Sequence, residues 1–177
     1  MRNVHLNGKC EMKLFGSSLF GQAIKAAGVG AVLMLSVSAG HAQSGPFAGF
    51  SGAWSGNGTV ALSDGTTERI RCKADYTVDG SGLGLRQTLR CASDSYKFDL
   101  KTNVIAERGT LSGTWSESSR NINGNLEGRA SGGNFQVIAT APGFTADISL
   151  TTRGNRQSVV IKAESQFKGA TITLSRS

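Results

Sequence analysis

The stretch ERIRCKADYTV, residues 68–78, alternates apolar and polar side chains along its whole length. A period of two is typical of a β-strand with one buried face. The face predicted to be buried carries Ile70, Cys72, Ala74, Tyr76 and Val78. The opposite face carries Arg69, Arg71, Lys73, Asp75 and Thr77, so we expect a strand with a charged outer surface.

The next six residues, DGSGLG (79–84), predict a tight turn because glycine adopts positive φ at little cost. A hairpin centred there places Val78 opposite Leu85 and Cys72 opposite Cys91. Directly opposed residues come within disulfide distance. We therefore predict a Cys72–Cys91 disulfide. The alternative is a pair of free or metal-binding thiols, but the region offers no further Cys or His to complete a zinc site.

The same strand pattern recurs to the end of the chain, with turn sequences rich in Gly and Asn between the strands. Further strands are predicted in YKFDLKT (96–102), NLEGRA (125–130), FTADISL (144–150), SVVIKA (158–163) and ATITLSR (170–176). No helical period occurs after residue 42. Short connections favour pairing between neighbouring strands. We predict an all-β fold, an antiparallel up-and-down meander of nine or ten strands closed into a soluble barrel, with a two-sheet sandwich as the alternative.

The beginning of the chain has the layout of a secretory signal peptide. An apolar run, QAIKAAGVGAVLMLSVSA (22–39), follows several lysines and ends in small residues. Cleavage after Ala39 or Ala42 satisfies the small-residue rule, and Ala42 is favoured. The alternative is a transmembrane anchor, but the run from Ala26 to Ala39 is shorter than the ~20 residues of a spanning helix. We expect a signal-peptide helix within residues 1–42, a barrel domain at 43–177, periplasmic or secreted location, and no membrane span after cleavage.

Removal of residues 1–42 limits the chemistry that remains. Four of nineteen Lys and Arg residues and one of twelve acidic residues lie there, so the net charge falls to +4. Both histidines, His5 and His41, lie there too. The remaining chain therefore has no Ser-His-Asp triad and no histidine metal ligand. Its two cysteines would meet an oxidising compartment, which favours the disulfide.

Catalysis by carboxylates is also unexpected. No Asp or Glu of the predicted domain, Glu117 included, is expected at an inward strand position where burial would raise its pKa. We therefore expect no enzyme activity, no cofactor and no metal.

Both tryptophans lie in a repeated Ser-Gly-x-Trp-Ser motif, in SGAWSGNG (51–58) and SGTWSE (112–117). The inward neighbours of Trp54 include several glycines, which allow another backbone or ring to approach closely. Either each indole plugs one part of the barrel, or the indoles line a ligand cavity. The candidate ligand-binding residues are Trp54, Trp115, Tyr76 and Arg176.

The two ends of the predicted domain resemble the calycin pattern shared by lipocalins and avidins. The resemblance rests on Gly52-Ala53-Trp54 in the first strand and Arg176 in the last. It implies that Arg176 packs over Trp54 and closes a barrel whose mouth holds a small hydrophobic ligand. We therefore expect an exported, non-enzymatic binding or envelope-associated protein that holds a small apolar molecule.

A basic surface is the second candidate site. The predicted hairpin places Lys73 opposite Arg90 on the outer face, with Arg71 and Arg86 nearby. Like charges directly across a strand pair are unfavourable, so these four residues are a candidate site for anionic cell-envelope material. The alternative is a solvated edge that discourages aggregation. Nucleic acid is an unexpected partner because the protein is predicted to be exported and this face lacks interleaved aromatic residues.

Overall fold

The computed structural model describes residues 44–165 and 167–177. Its strands are β1 (Gly52–Leu62), β2 (Thr67–Val78), β3 (Gly84–Ala92), β4 (Lys97–Glu107), β5 (Thr110–Glu117), β6 (Ile122–Ser131), β7 (Asn134–Ala141), β8 (Phe144–Arg153), β9 (Arg156–Ala163) and β10 (Phe167–Arg176). The predicted signal peptide and both cleavage sites lie outside the described residues. Within the described ranges, no helix is long and apolar enough to cross a membrane.

The ten strands form one closed antiparallel barrel. Each strand pairs with its neighbour in sequence, and β1 pairs with β10 to complete the closure. The predicted up-and-down barrel is confirmed, and the sandwich alternative is wrong. The strand that the sequence patterns did not single out is β7, which lies between two of the glycine-containing turns.

The β2–β3 hairpin has the predicted register. Val78 pairs with Leu85 and Cys72 pairs with Cys91, whose Cα atoms lie 4.1 Å apart. The two sulfurs are bonded, which confirms the disulfide, and both cysteines are buried inside the barrel. A crosslink between residues 19 positions apart is expected to stabilise the fold by about 3 kcal/mol.

Apolar and polar residues alternate between the interior and the outer surface. In β2, Ile70, Cys72, Ala74 and Tyr76 are buried, whereas the intervening Arg71, Lys73 and Asp75 are exposed. The other predicted strands show the same division, and their inward residues form one continuous apolar core. The interior is therefore built from the faces that the period of two identified.

The barrel has two different ends. The connections β2–β3, β4–β5, β6–β7 and β8–β9 lie at one end, together with residues 44–51, and we call this the closed end. The connections β1–β2, β3–β4, β5–β6, β7–β8 and β9–β10 lie at the other end, which we call the open end.

An aromatic plug, formed by Phe47, Phe50, Trp54, Tyr76 and Phe135, fills the closed end. The ring of Phe50 packs edge-on against Tyr76 and Phe135, with centroids 5.4 and 5.2 Å apart. Phe47 stacks on Phe135 at 5.8 Å. Its backbone N–H donates to Gly82 O in the β2–β3 turn, so the segment before β1 is fastened across this end.

Trp54 and Arg176 complete the closure. The Trp54 indole N–H donates to Phe50 O at 2.8 Å. The Arg176 guanidinium carbon lies 4.9 Å from the centroid of the indole, and its Nη1 donates to Ser51 O at 2.9 Å and its Nη2 to Gly49 O. The structure therefore has the arginine-over-tryptophan packing that the calycin resemblance implies.

Candidate ligand-binding cavity

A cavity of about 610 Å³ opens at the end of the barrel opposite the plug. Its volume lies within the range of small-molecule sites. The wall is mainly apolar and consists of Leu62, Tyr96, Phe98, Leu100, Trp115, Ile122, Leu126, Ala139, Phe144, Ala146, Ile148, Ile161 and Phe167. Of the polar lining residues, Ser63, Asp64, Arg120 and Ser165 lie in the turns at the rim. The cavity therefore offers an apolar interior below a polar entrance.

Trp115 is held in the wall by both its polar and its apolar atoms. Its indole N–H donates to Thr140 O at 3.3 Å, and its ring centroid lies 5.5 Å from that of Phe144. Gly124 lies directly opposite Trp115 on β6. A Cβ atom at Gly124 would lie 2.6 Å from the indole nitrogen and would also collide with Thr140 O. Glycine is therefore needed there for the indole to reach its acceptor.

Three aromatic rings meet in another part of the wall, near the rim. Tyr96 lies edge-on to Phe98, with centroids 6.1 Å apart, and is stacked against Phe167 at 6.3 Å. Tyr96 and Phe98 precede and begin β4, whereas Phe167 begins β10. The rings thus link two distant parts of the sequence at the entrance.

Glu117 occupies an inward position on β5, which corrects the prediction that no carboxylate does so. The residue is 6% exposed and lines the cavity. Its Oε1 accepts the backbone N–H groups of Asp99 (3.0 Å) and Ser119 (3.1 Å), and its Oε2 accepts that of Arg120 (2.6 Å). Glu117 therefore fastens the β5–β6 turn to β4.

The same contacts set the charge of Glu117. Burial raises the pKa of a carboxyl, but the surrounding N–H donors outweigh burial here and lower the pKa of Glu117 from its usual value. The carboxylate is ionised at neutral pH and its lone pairs are engaged. This arrangement suits a structural anchor and does not suit a general acid.

A chain of hydrogen bonds connects the cavity wall with the plug. Thr102 Oγ1 donates to Gln87 Oε1 (3.0 Å), Gln87 Nε2 donates to the Tyr76 hydroxyl (3.3 Å), and that hydroxyl donates to Gln157 Oε1 (2.9 Å). Burial raises the pKa of Tyr76, so its hydroxyl stays neutral. The chain gives the Gln87 side chain and the Tyr76 hydroxyl partners inside the barrel, whereas Gln157 Nε2 has no hydrogen-bond partner among the described residues.

The structure separates the four predicted ligand-binding residues. Trp115 lines the cavity, whereas Trp54, Tyr76 and Arg176 lie at the closed end, outside its lining. Trp54 therefore fills one part of the barrel, as the first alternative for the indoles states, and Trp115 lines the cavity, as the second states. A ligand-binding role for these residues stays a prediction. Among the described residues, no three His, Cys, Asp or Glu side chains cluster in a way that would hold a metal ion.

The four predicted cations are exposed on the outer face of β2 and β3. Lys73 is opposite Arg90, as expected, but Arg90 also forms an ion pair with Asp99 at 3.0 Å. The structure brings Arg71, Lys73 and Arg90 together with Lys97, which the sequence patterns did not single out, around one surface depression. Arg86 lies outside that depression, toward the closed end.

The sequence patterns also missed the residues of the cavity entrance. Arg120 lines the rim, and its guanidinium carbon lies 4.7 Å from the centroid of the Tyr96 ring. A signal for Glu117 was present, because it follows Trp115 by two residues and so shares its face. Arg120 belongs to a turn, where no period indicates the direction of a side chain.

Solved structures share this architecture. The crystal structure of Rv2717c from M. tuberculosis has a TM-score of 0.59 at 14% identity, covering 75% of this chain and 93% of that chain. The S-type phycobiliprotein lyase CPES from Guillardia theta has a TM-score of 0.55 at 9% identity, covering 72% and 88% respectively. No protein-family model and no curated protein matches the sequence. Together with the closed ten-strand barrel, these likenesses confirm at the level of the fold that the chain forms a calycin-like barrel.

Proposed function

We propose that this protein is an exported, non-enzymatic binding protein that holds a small, largely apolar molecule in the cavity at the open end. The observation that carries the proposal is the apolar cavity of about 610 Å³, bounded by Trp115 and other large side chains. A site of this size and lining buries most of a small ligand. The plug fills the opposite end of the described barrel, so the open end supplies the entrance to the cavity.

Export and the absence of catalysis are part of the same proposal. The signal-peptide pattern of residues 1–42 supports export, and the disulfide is typical of an oxidising compartment. The buried Glu117 supports a non-enzymatic role, because its oxygen atoms are engaged by backbone donors. The name of one structural neighbour includes the word lyase, but at 9% identity that likeness concerns the fold alone.

Titration with apolar molecules tests the proposal. Decanol, farnesol and a neutral naphthalene dye are added while tryptophan fluorescence is recorded. Binding is expected to shift the emission of Trp115, because a ligand in the cavity replaces water near the indole. Trp115→Phe should abolish the response, and Trp54→Phe, which changes the plug, should retain it. No response to any of a broad panel of apolar molecules would contradict the proposal.

We propose a second candidate function for the outer surface, the binding of anionic cell-envelope material. The depression lined by Arg71, Lys73, Arg90 and Lys97 supports it, because Asp75 and Asp99 offset only part of this positive charge. Cations concentrated on one face attract anionic lipids and polymers, and the attraction weakens as salt is added.

Charge reversal tests the second candidate. Lys73→Glu combined with Arg90→Glu is expected to weaken binding to lipopolysaccharide vesicles by about tenfold or more, since each cation near an anionic surface contributes about 1 kcal/mol. The matched control, Arg129→Glu with Lys162→Glu, makes the same change of charge on exposed parts of β6 and β9. Equal loss of binding in both double variants would indicate a net-charge effect and would remove this face as the site.

A further inference from the structure

Arg120 is held at one place above the cavity entrance. It belongs to the β5–β6 turn and, of the described residues that line the cavity, it is the basic one. Its guanidinium lies over the Tyr96 ring at 4.7 Å. Nη1 donates to Lys97 O at 3.3 Å and lies 3.7 Å from Glu117 Oε2. Three neighbours therefore fix the orientation of this planar group before any ligand arrives.

The Arg120 guanidinium has N–H groups that are available to a ligand. Within the described ranges, Nε and Nη2 of Arg120 have no hydrogen-bond partner, and its side chain is 41% exposed. The Nε and Nη2 N–H groups lie on one edge of the guanidinium and match the two oxygens of a carboxylate or phosphate. Held over an aromatic ring, this edge is arranged for an anion at the entrance.

Glu117 does not occupy the free edge of the Arg120 guanidinium. Its two oxygens accept three backbone N–H groups, and its distance to Arg120 Nη1 exceeds that of a hydrogen bond. Glu117 instead fixes the turn that carries Arg120, which makes it a positioning residue.

Asp64 is the third charged residue of the lining, after Arg120 and Glu117, and its carboxylate would favour a cationic head group. It lies at the exposed tip of the β1–β2 turn, and its Oδ1 accepts the backbone N–H (2.9 Å) and the hydroxyl (2.6 Å) of Thr66. Unlike Arg120, Asp64 is not stacked on the aromatic wall. Glu117 is also ionised and fixed in the lining, but backbone N–H groups already engage its oxygen atoms. Arg120 therefore carries the oriented charge at the entrance that is still open to a ligand.

Below the entrance the lining is apolar, with Leu100, Leu126, Ile148 and Ile161 in the wall. Resting on the function proposed above, we propose that the ligand is an amphiphile with one anionic head group, which binds Arg120 at the rim while its apolar chain lies in the cavity. Burial of the chain supplies most of the binding free energy, and the charge-assisted hydrogen bonds to Arg120 select the head group.

Calorimetric titration of the folded protein with decanoate, decanol and decylamine at neutral pH tests the inference. The three probes share the chain and differ in the head group. Decanoate is expected to bind about tenfold more tightly than decanol, and decylamine more weakly than either. Arg120→Gln should remove the preference for decanoate over decanol. The control, Lys168→Gln, removes an exposed cation at the same end that does not line the cavity.

The outcomes separate the two proposals. Equal affinity for decanoate and decanol, or tightest binding of decylamine, would overturn the anionic head group while leaving the binding function intact. A preference for decanoate that survives Arg120→Gln would overturn the assignment to Arg120. Failure of all three probes would count against the function itself. A circular dichroism spectrum and an unfolding midpoint like those of the original protein show that the Arg120→Gln variant is folded.

Discussion

Replacing Trp54 with alanine is expected to lower the free energy of unfolding by about 3–5 kcal/mol. The indole is 1% exposed and packs between the Tyr76 ring and the Arg176 guanidinium. Its loss leaves a void inside the plug, deprives Phe50 O of its donor and removes the aromatic face beneath Arg176. Each of these changes destabilises the closed end, and the surrounding strands can collapse around the void only in part.

Denaturant unfolding followed by circular dichroism measures this effect. The control is Trp115→Ala, the same substitution in the other copy of the Ser-Gly-x-Trp-Ser motif. Trp115 borders an existing cavity, so its removal enlarges that space and breaks fewer contacts. We expect a smaller loss of stability than for Trp54→Ala. A loss at Trp115 equal to or larger than that at Trp54 would show that the plug is not the more stabilising of the two regions.

Filling the cavity with Ala139→Phe is expected to weaken ligand binding by about a hundredfold. Ala139 on β7 is opposite Ala146 on β8, and both side chains line the cavity. A phenyl ring there takes the space of about four ligand CH₂ groups, each of which contributes about 0.8 kcal/mol when buried. The lost burial, about 3 kcal/mol, corresponds to roughly two factors of ten in affinity.

The stability of the Ala139→Phe variant should change little, although its affinity falls. Because the ring enters a cavity of about 610 Å³, the free energy of unfolding should stay within about 1 kcal/mol of the original value. The matched control is Ala74→Phe, at a buried alanine opposite Trp54 that lies outside the lining. That change overpacks the filled end and should destabilise the protein. Unaltered affinity in Ala139→Phe would place the ligand elsewhere.

Much of the fold was predictable because its determinants are local. The β2–β3 register followed from one glycine-rich turn, and the inward set of β2 followed from its period. The plug was harder to predict from the sequence. Trp54 and Arg176 were identified by the calycin pattern, but Phe47 lies in a short segment with no repeating pattern, so only the assembled barrel shows that its ring is buried.

The sequence indicated that the barrel could hold a ligand cavity, but it did not indicate which end of the barrel contains the cavity. β1 and β5 both run from the closed end toward the open end, and both contain the Ser-Gly-x-Trp-Ser motif. Trp54 is near the start of β1, whereas Trp115 is near the end of β5. The same motif therefore places one indole in the plug and the other at the cavity. Strand limits decide this difference, and those limits depend on pairing with neighbouring strands.

The pairing of β1 with β10 affects how the chain behaves while it is being synthesised. The hydrogen bonds between these strands join residues more than a hundred positions apart, so they form only after β10 has been synthesised. Until then a nascent chain carries two bare sheet edges, at β1 and at the newest strand, and each can recruit another chain. Truncation before β10 is therefore expected to yield material that aggregates or is degraded, rather than a smaller working barrel.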